Sequence, residues 1–334
     1  MSNFMGNTRT DLIELLSDNG YLNKKLQEVM DLQIDTDSIP TGDMPGDKVA
    51  IGPDHFKKAK LILPKLVELL GPVLKDNPFQ RAVVSVYGGS GVGKSEIASL
   101  LSYYLNALGL GSYTLSGDNY PHRIPKYNDA ERLRIFRQNG VRGLISKGVY
   151  NREIGETLKE LQLKGCDADP ANIKDHPWMS VYLDAGACGL KDYLGSEKEI
   201  DFKELNGIIS QFKNGADKIY LKRMGREEHE LWYDLVDFGN VNVFIIEWTH
   251  GNSYYLRGID VPVMLNSTPK ETLEHRRKRN RDGGVDSPFT TLVLSIEQDL
   301  LVSQAKRAKL IVSKSCEILS YEEFLKVMMP DSEQ

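Results

Sequence analysis

Cysteine is scarce in this chain: three thiols, Cys166, Cys188 and Cys316, stand far apart among 334 residues. An odd, widely spaced set suits neither a disulfide framework nor a zinc cluster, and it points to reduced thiols and a cytoplasmic setting. The six histidines show no metal-protease or zinc-finger spacing. No apolar run approaches the roughly 20 residues that a membrane-spanning helix needs, and the opening Met1-Ser-Asn-Phe-Met-Gly6 lacks the apolar core of a secretory signal. A surplus of positive charge is also missing. The formal net charge of −5 gives no general attraction to nucleic acid or to an anionic membrane, so neither is expected as a partner. No internal repeat and no low-complexity tract is found.

What the chain does have is Gly88-Gly89-Ser90-Gly91-Val92-Gly93-Lys94-Ser95, a complete phosphate-binding loop. The run before it, Arg81-Ala-Val-Val-Ser-Val-Tyr87, is short, β-branched and apolar, and predicts a buried strand. The run after it places Ile97, Leu100, Leu101, Tyr104, Leu105 and Leu108 on one helical face. Strand, glycine loop and helix are the context this chemistry requires. Glycines let successive backbone N–H groups turn toward a phosphate, and the helix N-terminus adds its dipole. Lys94 brings charge to the β and γ oxygens, and the Ser95 hydroxyl is a Mg²⁺ ligand. The nucleotide-binding set therefore runs from Gly88 through Ser95 and includes the next residue, Glu96. The chain is expected to bind a nucleoside triphosphate.

Strands alternate with helices along the chain. The predicted fold is accordingly α/β, a P-loop NTPase with a parallel sheet and helices on both faces, plus an N-terminal helical extension. Residues 1–80 form that extension and a linker: a helix from Asp11 to Val29, a Pro- and Gly-containing linker or mobile loop from Gln33 to Gly52, and a second helix from about His55 to Leu74 interrupted at Pro64. Packing on the core is the first reading of this segment, and a contact within a homodimer the second. Residues 81–334 form the nucleotide domain, with a helical substrate or insert region at about 128–215. Strands are expected at Ser112–Leu115, Val241–Ile246, Val261–Leu265 and Lys309–Val312, and a long helix from about Thr290 to Arg307.

Ligand groups of such a sheet gather at the carboxyl ends of its strands. Asp118, just beyond the second strand, is the first choice for a base that takes or orients a proton of an acceptor hydroxyl; the alternative is a turn-capping aspartate. Tyr120, His122 and Arg123 follow it and would bind the acceptor, unless they are ordinary loop residues. Glu247 closes an apolar strand, where a carboxylate holds Mg²⁺ or assists the base. Trp248 and His250 would line the same pocket, although Trp248 suits a buried structural role equally well. The basic run His275 to Arg281, followed by Asp282-Gly283-Gly284, reads as a nucleic-acid patch, as a solvated helix face, or as a lid at about 275–288. In an acidic chain with a phosphate loop the lid is favoured, with Arg277 and Arg279 on the triphosphate.

Together these residues resemble the phosphoribulokinase/uridine kinase family over roughly residues 81–315. The likeness rests on the loop, Gly117-Asp118-Asn119-Tyr120-Pro121-His122-Arg123, the strand ending in Glu247, the arginine-rich run, and Ala308-Lys-Leu-Ile-Val312. The chain departs from the family pattern at Trp248, where glycine is common, and at Lys278 within the arginine pattern. The resemblance implies ATP, Mg²⁺, Asp118 as base, and His122 and Arg123 toward a sugar phosphate. The expected activity is transfer of the γ-phosphate to a hydroxyl of a small metabolite: a sugar phosphate, sugar or nucleoside. Adenylylsulfate is an alternative acceptor, and a regulatory NTPase acting through a protein partner is the competing class. That class lacks support in the missing Asn-Lys-x-Asp and Leu-Ser-Gly-Gly-Gln motifs.

Overall fold

The computed structural model describes Leu16 and residues 18–36, 39, 42–46, 49–268, 270–273 and 287–328. The chain divides into two compact units. The first comprises Met1–Tyr120, Phe202–Ser267 and Leu301–Gln334; the second comprises Pro121–Asp201 and Thr268–Leu300.

The first unit is built on a six-stranded sheet. Strands β1 (Ala82–Gly88), β2 (Ser112–Ser116), β5 (Val243–Glu247), β6 (Val261–Leu265), β7 (Leu310–Val312) and β8 (Ile318–Leu319) lie in the order β2-β5-β1-β6-β7-β8. All neighbours are parallel except the β7–β8 pair. Every residue of β1, β5 and β6 is buried, as continuous apolar runs in a parallel sheet should be. Alternate residues serve the two faces. Val84, Val86, Ile245 and Val263 join the core formed by helices α2 (Pro53–Asp76) and α3 (Lys94–Ala107). On the opposite face Phe244 meets Phe212 of helix α7 (Phe202–Lys213), and Tyr87 and Met264 join Leu301 and Phe324. Helices therefore cover both faces of a mostly parallel sheet.

The N-terminal segment contributes to that core. Helix α1 (Asn19–Met30) starts at Asp18, whose carboxylate accepts the N–H groups of Gly20 and Tyr21, and it buries Leu26 and Val29. The part of the expected helix from 11 to 15 lies outside the described residues. Helix α2 runs without a break from Pro53 to Asp76, so the interruption expected at Pro64 does not occur. An interior proline costs about 3 kcal/mol. Ile62, Leu63, Leu66 and Leu70 of the same helix are all fully buried, and each contributes about 1.5–3 kcal/mol. Packing outweighs the lost hydrogen bond.

A hairpin of β3 (Lys218–Met224) and β4 (Leu231–Asp237) was not expected from the sequence. Its second strand is exposed along most of its length, so no buried stripe marks it. The short β8 and helix α9 (Tyr321–Met328) were likewise not anticipated.

The second unit is helical. Helix α4 (Pro125–Ser146), α5 (Arg152–Leu163), α6 (Met179–Lys191) and the first part of α8 (Pro288–Gln304) surround Phe136, Leu144, Met179 and Tyr182. Its boundaries differ from the expected 128–215: it begins at Pro121, ends at Asp201 and takes in residues 268–300. Two buried carboxylates organise it. Glu199 accepts from Arg132 at 2.6 Å, Asn128 at 2.9 Å and the Gly195 N–H at 2.6 Å. Asp167 receives two Arg137 nitrogens and the Tyr182 hydroxyl. No helix among the described residues is long and apolar enough to cross a membrane.

Candidate active site

The glycine loop lies between β1 and α3, at the carboxyl end of a strand near the middle of the sheet. Gly93 is the N-cap of α3 and takes φ of 90°, a left-handed conformation that side chains other than glycine rarely adopt. It brings no capping side chain, so the first turn of α3 has the arrangement in which helix N–H groups receive an anion. Gly89, Ser90, Gly91, Lys94 and Ser95 are half-buried, whereas Gly88, Val92, Gly93 and Glu96 are buried. The Lys94 ammonium folds back over the loop and donates to the Gly89 carbonyl at 3.2 Å.

His55 of α2 supports this loop and was not singled out in the sequence. Its Nδ1 accepts the Gly52 N–H at 3.0 Å, which leaves the ring proton on Nε2 in the neutral form. Nε2 lies where a side chain at Gly93 would meet it, 3.0 Å from an added Cβ.

The sheet register brings the candidate carboxylates to the same edge. Glu247 pairs with Val86 on one side and with Ser116 on the other, so the ends of β1, β2 and β5 are level. Glu247 is buried. Asp118 lies two residues beyond Ser116, in the single-turn helix Gly117–Asn119, and is exposed. Gly117 must be glycine because an added Cβ would run into the indole of Trp248. Trp248 is buried; its N–H donates to the Val86 carbonyl, and its ring packs against Phe202 at 5.7 Å and His250 at 5.1 Å. Of its two readings, the structure places Trp248 beneath the turn that carries Asp118. His250 is buried beside it. Tyr120, expected to face the acceptor, is fully buried, and desolvation pushes its hydroxyl well above the usual tyrosine range. It is a core residue, as a large apolar ring next to a buried turn should be.

Asp43 is the principal residue missed in the sequence, where it lay within the stretch read as linker. Its carboxylate accepts the Ser116 N–H at 2.7 Å, Asn119 Nδ2 at 3.1 Å, the Tyr113 hydroxyl at 3.1 Å and Arg223 Nη1 at 2.8 Å. Burial raises its pKa from 3.8 to about 6, and the Arg223 charge is the largest opposing influence. Asp43 is therefore tied to the sheet edge, and the stretch is no free linker at that point.

His122 and Arg123 belong to the second unit. His122 is exposed, with Nε2 3.0 Å from the Glu197 carbonyl. Arg123 donates to the Tyr193 hydroxyl at 3.1 Å and lies 3.7 Å from Glu131. Arg277 and Arg279, with the part of the expected lid from 275 to 286, lie outside the described residues.

The residues of the loop fit a nucleoside triphosphate with Mg²⁺. The left-handed glycine, the uncapped helix start and the half-buried lysine form an anion cradle, and Ser95 and Glu247 are oxygen donors of the kind a hard cation takes. Among the described residues no group of three or more His, Cys, Asp or Glu forms a self-contained metal site. A cation here would share its coordination with phosphate, as Mg²⁺ does.

No protein-family model matches the chain. Over 238 residues, 71% of its length, the chain is 40% identical to the bifunctional alpha-galactosidase/sucrose kinase of Mediterraneibacter gnavus. It spans about a fifth of that protein's length, the match covering 20% of it. Among solved structures, one provisionally named as a fructose transport system kinase of Silicibacter sp. TM1040 is similar with a TM-score of 0.42 and 16% identity, over 75% of this chain and 92% of that one.

Proposed function

We propose that this chain is an ATP- and Mg²⁺-dependent kinase that transfers the γ-phosphate to a hydroxyl of a sugar, in the manner of the phosphoribulokinase/uridine kinase family. One observation carries the reading: the anion cradle of Gly88–Ser95 shares its sheet edge with an exposed carboxylate, Asp118, and a buried one, Glu247. Transfer to a sugar needs, beside the cradle, a carboxylate that takes the hydroxyl proton. The acceptor class comes from the relative, whose name includes a sucrose kinase. The same name favours an unphosphorylated sugar over a sugar phosphate.

In this mechanism the loop N–H groups and Lys94 hold the β and γ oxygens and stabilise the charge that spreads over them during transfer. Ser95 and Glu247 would hold Mg²⁺, and the ion would neutralise phosphate charge when bound. Asp118 accepts the proton that the sugar hydroxyl releases as its oxygen bonds to phosphorus. His250 is assigned to an acceptor contact.

The test is ADP release by the purified chain against sucrose, fructose, glucose, fructose 6-phosphate, uridine and adenylylsulfate, with Lys94→Ala as blank. Sugar-dependent release that vanishes in the blank supports the reading. ATP hydrolysis that no acceptor accelerates would overturn it and favour a regulatory NTPase.

A further inference from the structure

The single turn Gly117–Asn119 carries Asp118 just beyond the end of β2. The Tyr120 N–H donates to the Gly117 carbonyl at 3.0 Å. Asp118 projects from the turn into solvent. A proton acceptor must be held closely, because a displacement near 1 Å costs about 10²-fold in rate.

The residues on both sides of Asp118 are pinned, and by one side chain from a distant part of the sequence. Asp43 Oδ1 accepts the Ser116 N–H just before the turn and the Asn119 amide just after Asp118. Asn119 is fully buried; its Nδ2 also reaches the Ser116 carbonyl at 3.3 Å, and its Oδ1 accepts the Met224 N–H at 2.9 Å. Asp43 Oδ2 takes Tyr113 and Arg223, and Arg223 in turn donates to the Tyr113 hydroxyl at 2.9 Å and to Asp234 at 3.0 Å. One carboxylate thus ties together the end of β2, the turn, and the hairpin strand β3.

We propose that Asp43 is a positioning residue for phosphoryl transfer, clamping the Ser116–Asn119 turn from both ends and so fixing Asp118 against the phosphate loop. The inference rests on the kinase reading above. Four donors converge on the two oxygens, more than a neutral serine or asparagine oxygen would satisfy. The side chains of Asp43 and Arg223 are 8% and 7% exposed, and a buried ion pair of this kind gives little net stability against an apolar replacement. Beside the proposed base its role is geometric: the pair sets where the turn sits.

The experiment uses the full chain with its best acceptor from the panel. Asp43→Ala should lower kcat by about 10²-fold, with ATP affinity within twofold of wild type and sugar KM within threefold. Asp43→Asn keeps one acceptor oxygen for the Ser116 N–H, and it should recover about tenfold of that loss; it also serves if the alanine variant folds poorly. The deciding readout is the cycle with Asp118→Asn. Because Asp43 acts through Asp118, adding Asp43→Asn to Asp118→Asn should change kcat by less than twofold. Equal losses in both backgrounds, or an unchanged kcat in the single variants, would overturn the positioning role while leaving the kinase reading intact. A wild-type chain that binds ATP yet phosphorylates no acceptor would overturn both.

Discussion

At the amino end of β1, Arg81 is buried, and its guanidinium donates to the carbonyls of Phe212, Ala216 and Phe238 at 3.0, 2.7 and 2.9 Å while stacking 5.0 Å from the Phe212 ring. At the carboxyl end, Lys94 is half-buried and, among the described residues, donates to the Gly89 carbonyl. The strand between them is buried throughout. Both ends need positive charge, for different reasons. Below the sheet, a planar fork with five donors gathers the backbone carbonyls of three segments, a task suited to arginine. Above it, glycines, an uncapped helix start and a flexible ammonium remain available for an incoming anion. One end is closed by satisfied hydrogen bonds; the other is kept open for them.

Changing each end in turn should separate activity from stability. The largest effect is expected from Lys94→Ala, which should lower sugar phosphorylation by about 10³-fold with a melting temperature close to wild type; a large fall in melting temperature would mean that the lysine also closes its end of the sheet. Asp118→Asn should reduce kcat by roughly 10²–10⁴ at unchanged ATP affinity, and near-normal turnover would transfer the base role to Glu247. Gly117→Ala forces a methyl group into Trp248 and should cost about 10²-fold in kcat through the displaced turn, measured against an unchanged ATP dissociation constant.

At the closed end the readout reverses. Arg81→Met should lower unfolding free energy by about 2–4 kcal/mol in urea titrations and leave kcat per folded molecule as it was; the exposed Asp217, 3.5 Å away, contributes little to this. A stable Arg81→Met protein would show that the three carbonyls find other donors. The smallest effect concerns Asp43. Its pKa rises on folding from 3.8 to about 6, so the fold favours the protonated form. That contribution is complete below pH 3.8 and is lost as pH climbs through 6. Asp43→Asn cannot ionise, so its stability relative to wild type should rise between pH 4 and 6 by on the order of 2 kcal/mol. A flat difference across that window would mean that Arg223 holds the carboxylate ionised throughout.

Much of this arrangement was legible in residues that lie together in the chain. The strand before the loop, the helix after it and the strand ending at Glu247 all showed local apolar patterns that burial then used. The place of Asp118 just after β2 was legible too, and the register of Ser116 with Glu247 follows from a parallel sheet. Other features had no local signal. Pro64 reads as a helix break until the buried face of α2 is counted. Strand β4 is exposed along most of its length and so lacks the alternation that marks a half-buried strand. Tyr120 looked like an acceptor contact beside Asp118, yet its ring is wholly buried.

By itself the sequence determined the local layout of the open end, because the glycines, lysine and hydroxyl proposed to hold phosphate stand within eight consecutive residues, where no fold is required to see them together. Only the tertiary structure decided what holds that chemistry in place. Asp43 is 73 residues from Ser116 and 180 from Arg223, and His55 reaches Gly93 from another helix. Hydrogen bonds and packing act over a few ångströms whatever the separation along the chain, and folding alone makes those distances short.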